Sequence, residues 1–147
     1  MVPTILDHLL HVSELFQRDM TRAFAGTSLS RARVRVLWVL QHQGPSTQRA
    51  LAEALEVSAR NVSGLVDALE ADGYVRRTPH PQDRRAIVVE LTEAAARQMA
   101  QMQRDHAALS AMLLEAVTPE DRPAVERGVP AIAARLAELV ERAEHAR

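Results

Sequence analysis

The chain has 147 residues, 47% of them hydrophobic, which is enough for one domain with a buried core. It has no cysteine, so disulfides, thiolate nucleophiles and thiol redox sensors are excluded, and a metal site would have to use histidines and carboxylates. A net charge of −1 argues against a protein that binds nucleic acid through a general excess of cations, but it allows positive charge to be concentrated on one face.

The N-terminal segment predicts an amphipathic helix over residues 5–24, with Thr4 as its N-cap and Gly26 just past its end. Its apolar residues recur at steps of three and four: Ile5, Leu9, Val12, Phe16, Met20 and Ala23. The segment lacks the basic region and long apolar run of a signal peptide, and nowhere does the chain reach the roughly eighteen apolar residues of a membrane span. We therefore expect a cytoplasmic protein without membrane contact.

The middle of the chain predicts a helix-turn-helix behind a core helix. Residues 34–40, VRVLWVL, are apolar on nearly every side and suit a helix packed between two layers. Residues 47–73 then predict two short helices, capped by the hydroxyls of Thr47 and Ser58. Glu56 occupies the turn position at which a glycine is usual. The apolar residues have the spacing typical of the motif: Leu51, Ala52, Leu55, Val57, Val62 and Leu65.

A β-hairpin is predicted next, with YVRR (74–77) and AIVVEL (86–91) as its strands and a proline-containing loop between them. Between residues 76 and 85, four arginines less one aspartate give a local charge of +3. Such a projection attracts the phosphate backbone of DNA and releases counterions, so the affinity would fall steeply as salt rises.

Two further amphipathic helices are predicted after Thr92. The first carries a four-three seam of mostly apolar residues: Ala95, Met99, Met102, His106, Leu109, Leu113 and Ala116. The second begins after Thr118 and carries another stripe, with Pro130 predicted to kink or interrupt it: Ile132, Leu136, Leu139, Val140 and Ala143. Because the terminal helices have little to bury against inside one domain, we predict a two-fold dimer through residues 5–24 and 105–145.

This arrangement resembles the MarR family of bacterial transcription regulators, most specifically in LAEALEVSARNVSGLVDALEADGYVRRTPHPQDRRAIVVELT (51–92). The stretch is similar to the family's paired helices, the LE..GYV.R that begins its first hairpin strand, its P.DRR wing tip and the LT that opens the next helix. The resemblance implies a mainly α fold with a small β-hairpin wing, a winged helix-turn-helix flanked by N- and C-terminal dimerisation helices. It implies one domain over 1–147, with a DNA-binding lobe at 30–91 and dimerisation helices at 1–25 and 92–147.

The second helix of the helix-turn-helix has an apolar side that faces the core, which leaves its other side for the major groove of DNA. Arginine or asparagine near the start of such a helix can donate to base edges, serine hydroxyls can reach phosphates, and glycine lets the backbone approach closely. The predicted DNA-contacting residues of this helix are Ser58, Arg60, Asn61, Ser63, Gly64 and Asp67.

The hairpin supplies a second set of predicted contacts: Arg77, Asp83, Arg84 and Arg85. An acid at a DNA-facing tip lowers affinity unless it is held by a partner. The resemblance implies that Asp83 pairs with a nearby arginine and shapes the wing so that Arg85 enters the minor groove. Arg84 or Arg77 would then contact phosphates. The alternative is an ordinary hairpin with a solvated salt bridge.

The function predicted from these features is sequence-specific binding of double-stranded DNA by a homodimeric transcription regulator, a repressor on a pseudo-palindromic operator. The resemblance also implies control by a small, often aromatic or anionic, effector that enters a crevice between the dimerisation helices and the winged domain. The candidate lining residues are Phe16, Met20, Arg35 and Trp38, for which plain core or surface is the alternative. No cofactor and no metal are predicted.

Three other functions are weaker. A metal-responsive regulator would rest on His8 and His11 on one helix face and His106 on the seam, without a clear third ligand. A winged helix used only for protein contacts would bind no duplex. An enzyme is disfavoured because the sequence has no phosphate-cradling glycine loop, no nucleophile elbow and no clustered carboxylate pair.

Overall fold

The computed structural model describes all residues, Met1–Arg147, and contains six helices and three short strands. The mainly α fold with a small hairpin, as predicted, is confirmed. Contacts divide the chain into two compact units, Met1–Gln101 and Met102–Arg147. The elements are α1 (Ile5–Phe24), α2 (Arg31–Gln43), β1 (Ser46–Thr47), α3 (Gln48–Leu55), α4 (Ala59–Ala71), β2 (Val75–Pro79), β3 (Ile87–Leu91), α5 (Glu93–Glu115) and α6 (Arg122–His145).

Hydroxyl side chains cap the first four helices. Thr4, Ser30, Thr47 and Ser58 each accept a hydrogen bond from the backbone N–H three residues on, which satisfies a donor that the helix leaves unpaired. The predicted caps at Thr4, Thr47 and Ser58 are confirmed. At α1 the carboxylate of Asp7 accepts the backbone N–H of Thr4 at 2.7 Å, and this bond lowers the pKa of Asp7.

The turn between α3 and α4 is closed without glycine. Glu56 has φ 54° and ψ 44°, in the left-handed region, and its N–H together with that of Val57 returns to carbonyls in the last turn of α3. A residue with a Cβ is strained in this conformation. The turn is therefore fixed by the helices on either side of it and not by its own residue.

The core of the first unit lies among α2, α3, α4 and the strands. Its most deeply buried large side chains include three on α4 and two on α2, since both helices present an apolar side to the other elements. These fully buried residues are Val36, Leu37, Leu51, Val62, Val66, Leu69, Val75, Val89 and Met99. The segment VRVLWVL is a core helix, as predicted, although Trp38 is only half-buried.

The three strands form one antiparallel sheet in the order β1-β3-β2. Strand β1 was not predicted, because two residues carry no alternation that a sequence pattern can show. The hairpin was predicted, but β2 begins at Val75 and continues to Pro79, so its loop is shorter than expected. Pro79 is tolerated there because it ends the strand on the outer edge of the sheet.

The second unit contains the end of α5 and all of α6. The side chain of Arg122 links them, since its Nε donates to the carbonyls of Leu114 and Val117, both at 3.0 Å. Helix α6 runs without a break through Pro130, so of the two predicted outcomes, a kink or an interruption, the interruption does not occur. The fixed φ of proline is compatible with a helix, and its loss of one donor is local. No helix of the structure is long and apolar enough to cross a membrane.

Candidate nucleic-acid interface

Helix α4 separates a buried side from an exposed one, as predicted. Val62, Val66 and Leu69 are fully buried, whereas Arg60, Asn61, Gly64 and Asp67 are exposed. Ser58 is exposed and Ser63 is half-buried. The alternation follows the helical period, so the apolar positions that hold α4 against the core also direct the polar ones outward.

Two small residues, Ser58 at the N-cap of α4 and Gly64 within the helix, leave room for a ligand. A Cβ added to Gly64 would meet no atom within 4 Å, so packing inside the protein does not require glycine at this position. The hydroxyl oxygen of Ser58 accepts the N–H of Asn61 at 3.1 Å, and its own O–H remains able to donate to a phosphate. Both features suit the close approach of another backbone to the start of α4.

The tip of the hairpin is held by hydrogen bonds from side chains to backbone. The Nδ1 atom of His80 accepts the N–H groups of Gln82 and Asp83, both at 3.1 Å, and the Asp83 carboxylate accepts the N–H of Arg85 at 3.0 Å. The backbone closes the loop, with His80 N–H bound to Ala86 at 3.1 Å. These bonds fix the direction in which the chain presents Arg85.

The expected partner of Asp83 is therefore corrected. Its carboxylate forms no ion pair with an arginine side chain and instead accepts the backbone N–H of Arg85. An aspartate two residues before an amide closes this short turn more readily than it reaches a long side chain. His80 shares the task of shaping the tip, and sequence analysis missed it because the role needs a particular loop conformation.

The local charge of +3 overstates the positive charge that is available. The side chain of Arg76 pairs with Glu90 at 2.6 Å, and that of Arg77 pairs with two acids of α4. Glu90, like those acids, lies outside the segment that was counted. Arg84 and Arg85 are exposed and form no ion pair. The hairpin thus offers two arginines that form no ion pair, adjacent at its tip, and with Asp83 the tip has a net charge of +1.

Arg77 occupies a different position from the other predicted wing residues. Its side chain is 21% exposed and lies against α4, where its terminal nitrogens bond Asp67 at 2.5 Å and Glu70 at 3.0 Å. Partial burial opposes its charge, but the hydrogen bonds to the two carboxylates and their negative charges together outweigh burial and raise the pKa of the guanidinium. Of the two arginines that were considered for phosphate contacts, Arg84 is the one whose side chain is not already paired.

The predicted effector residues are only partly brought together. Phe16 and Met20 line a groove of about 300 Å³ along α1, and Met20 also lines a neighbouring groove of about 450 Å³. The cation at both grooves is Arg31 and not Arg35, which is exposed, while the ring of Trp38 contacts that of His42. No sequence pattern pointed to Arg31, because it begins α2 and carries no part of a stripe.

The histidines on α1 do not form a metal-binding cluster. His11 contacts the exposed carboxylate of Glu14 at 3.9 Å. Nowhere in the structure do three or more histidine, aspartate or glutamate side chains form a group that could hold a metal ion.

Comparison with known proteins identifies the family. The sequence profile of the MarR family matches residues 29–87. The uncharacterized HTH-type transcriptional regulator YfiV of Bacillus subtilis is 34% identical over 119 residues, which are 80% of this chain and 68% of YfiV. The chain belongs to the MarR family. A second relative of this MarR-family protein, the HTH-type transcriptional repressor YetL of Bacillus subtilis, is 29% identical over 118 residues, 78% of this chain and 70% of YetL.

Solved structures show the same fold. The Streptococcus pneumoniae protein FabT, crystallised in complex with DNA, superposes with a TM-score of 0.83 at 20% identity and covers 92% of this chain and 96% of FabT. A mutant of MarR from E. coli superposes with a TM-score of 0.68 at 21% identity and covers 90% of this chain and 98% of MarR. The winged helix-turn-helix is confirmed, and so is the prediction that this MarR-family protein is a transcription regulator and not an enzyme.

Proposed function

We propose that this MarR-family protein is a homodimeric repressor that binds a pseudo-palindromic operator in double-stranded DNA, with α4 as its recognition helix. The observation that carries the proposal is the exposed side of α4, with Arg60 and Asn61 near its start, combined with a hairpin tip that presents two unpaired arginines. YetL, named as a repressor, and FabT, crystallised with DNA, support the same interpretation. Such a protein would act in the cytoplasm, where chromosomal DNA lies.

The recognition helix would read the major groove. Arg60 and Asn61 lie in its first turn and carry the donors that suit base edges, because guanine and adenine present acceptors there. The hydroxyls of Ser58 and Ser63 would bond phosphates, and Gly64 would let the helix backbone lie close to the DNA. Asp67, bonded to Arg77, would border this surface.

The hairpin would act as the wing of the motif. Arg85 would enter the minor groove, where a narrow groove concentrates negative potential, and Arg84 would contact phosphates. Asp83 would serve by holding the amide of Arg85 and not by neutralising an arginine. Within this scheme, residues 30–91 form the DNA-binding lobe of the single domain 1–147, and residues 1–25 and 92–147 supply the dimerisation helices.

A dimer would cover apolar side chains that the protomer leaves exposed. Neither α1 nor α6 contains a buried residue, although each carries an apolar stripe. The exposed large apolar residues of the two helices are Ile5, Leu6, Leu10, Val12, Leu15, Phe16, Val129, Ile132, Leu136, Leu139 and Val140. A surface of this kind marks an interface, and two-fold symmetry would place two recognition helices on successive turns of one DNA face.

An effector would bind along α1. The grooves beside Phe16 and Met20 combine apolar side chains with one cation, Arg31, which suits a small aromatic or anionic molecule. Binding there would release DNA only if the effector prefers the conformation that binds DNA poorly.

The decisive experiment selects duplexes from a random pool with the wild-type protein and measures the affinity for the selected sequence by fluorescence anisotropy. We expect Arg85→Ala to weaken binding by about ten-fold or more and to relax the sequence preference, because it removes a groove contact. Arg84→Ala should weaken binding to all duplexes alike and reduce the salt dependence.

Arg97→Ala is the matched control, since Arg97 is an exposed arginine on α5, outside both the recognition helix and the hairpin. It should leave the affinity unchanged. If no duplex is enriched, or if Arg97→Ala weakens binding as much as Arg85→Ala does, the proposed interface is wrong.

A further inference from the structure

Arg77 joins three elements of the winged helix-turn-helix through one side chain. From β2, its Nε donates to the Oε1 atom of Gln48, the first residue of α3, at 2.9 Å. Its two terminal nitrogens donate to Asp67 at 2.5 Å and to Glu70 at 3.0 Å, both on α4. Its backbone N–H also donates to Glu70, at 3.0 Å. No other arginine of the hairpin forms an ion pair with a helix.

The geometry of the guanidinium makes this junction stiff. The group is planar and its donors point in fixed directions, so partners on separate elements must keep their positions for all the bonds to form. Arg76, one residue earlier, pairs only with Glu90 on the neighbouring strand and leaves the helices free. Within the hairpin, the link to the recognition helix therefore depends on Arg77.

We propose that Arg77 is a positioning residue that fixes the wing against the recognition helix, and that it raises DNA affinity without contacting DNA. The inference rests on the proposed function, because it assumes that α4 and the wing tip engage one duplex together. If Arg77 sets the distance between α4 and the wing tip, loosening the junction allows both to reach the DNA only in some of the protein's conformations. The apparent affinity is then the intrinsic affinity multiplied by the fraction of molecules that is competent to bind.

This role and a phosphate contact predict opposite effects at Asp67. If Arg77 served phosphates, Asp67→Asn would remove a competing negative charge and strengthen binding. If Arg77 positions the wing, the same substitution replaces the charge-assisted bond from Arg77 by a weaker neutral one, which loosens the junction and weakens binding by about ten-fold. The sign of the change therefore separates the two roles.

The matched control is Glu90→Gln. It also removes one acid from an arginine pair of the hairpin, but this pair does not touch α4. We expect Glu90→Gln to bind the selected duplex at least as tightly as the wild-type protein, and Asp67→Asn to bind it more weakly.

Two further variants exclude a direct contact between Asp67 and a base. Arg77→Lys keeps the positive charge but cannot bridge Gln48, Asp67 and Glu70 at once, so we expect it to weaken binding about as much as Asp67→Asn does. The double variant, with Asp67→Asn and Arg77→Lys, should bind no worse than Arg77→Lys alone, since both changes loosen the same junction. The slope of log affinity against log salt should stay at the wild-type value in all three, whereas Arg84→Gln should reduce it by about 1.

Circular dichroism at the assay temperature confirms that each variant is folded, and Glu70→Gln replaces any that is not. Tighter binding by Asp67→Asn, wild-type affinity in Arg77→Lys, or a reduced salt slope in Arg77→Lys would each overturn the role of Arg77. A wild-type protein that binds no duplex would instead overturn the proposed function itself.

Discussion

Helix α4 and helix α6 are both amphipathic, yet the protomer buries the apolar side of α4 only. Three apolar side chains of α4 are at most 1% exposed, whereas α6 has no buried residue and Leu136 is 58% exposed. The same contrast separates α3 from α1. An apolar stripe predicts that a helix will be covered, but it does not predict whether its own chain or another chain covers it. The helix-turn-helix is packed within its own chain, whereas the apolar sides of the terminal helices would be covered by a second copy in the proposed dimer.

The largest expected effect is at α6, whose apolar side the protomer leaves exposed. Leu136→Glu should raise the dimer dissociation constant at least about a hundred-fold, because two-fold symmetry removes two buried leucines and each contributes about 1.5–3 kcal/mol. Sedimentation equilibrium measures the change. Ala134→Glu is the matched control, since it adds the same charge about 160° away around α6, on the polar side. Equal dissociation in both variants would show that the apolar stripe is not the interface.

The next largest effect is in the buried core of the helix-turn-helix. Leu51 is fully buried, so Leu51→Ala should lower the free energy of unfolding by about 2–5 kcal/mol, measured by urea denaturation. Leu51→Met, which nearly conserves volume, should cost less than about 1.5 kcal/mol. The dissociation constant of the folded dimer should not change. If Leu51→Ala loosened the dimer while leaving unfolding unaffected, the contrast between the two regions would be reversed.

A smaller effect on the free energy of unfolding is expected at the turn between α3 and α4. Glu56 is held in the left-handed conformation, so Glu56→Gly should raise the free energy of unfolding by about 0.5–1 kcal/mol, the gain being limited by the greater freedom of glycine in the unfolded chain. Ala54→Gly, on the exposed side of α3, should lower it by about 1 kcal/mol. Thermal unfolding of the two variants gives the comparison. A loss at Glu56 would mean that its side chain stabilises the turn.

Local patterns predicted most of the fold. The caps at Thr4, Thr47 and Ser58 depend on residues three positions apart, and the apolar positions of α4 depend on the helical period, so both can be recognised in a short window. The two-residue strand β1 could not be recognised, since its partner Val89 lies more than forty residues away in sequence. The helix is not interrupted at Pro130, because a helix stabilised over 24 residues tolerates one missing donor.

The sequence by itself determined that this protein carries a helix-turn-helix, a charged hairpin and amphipathic terminal helices, because each follows from the spacing of residues that are near one another in the sequence. Only the tertiary structure decided which charges are free. The four arginines of the hairpin are equivalent in the sequence, yet Arg76 faces Glu90 across the sheet and Arg77 meets Asp67 and Glu70 on α4. Ion pairs form through space between residues of separate elements, so the packing of those elements decides that Arg84 and Arg85 are the two that form no ion pair.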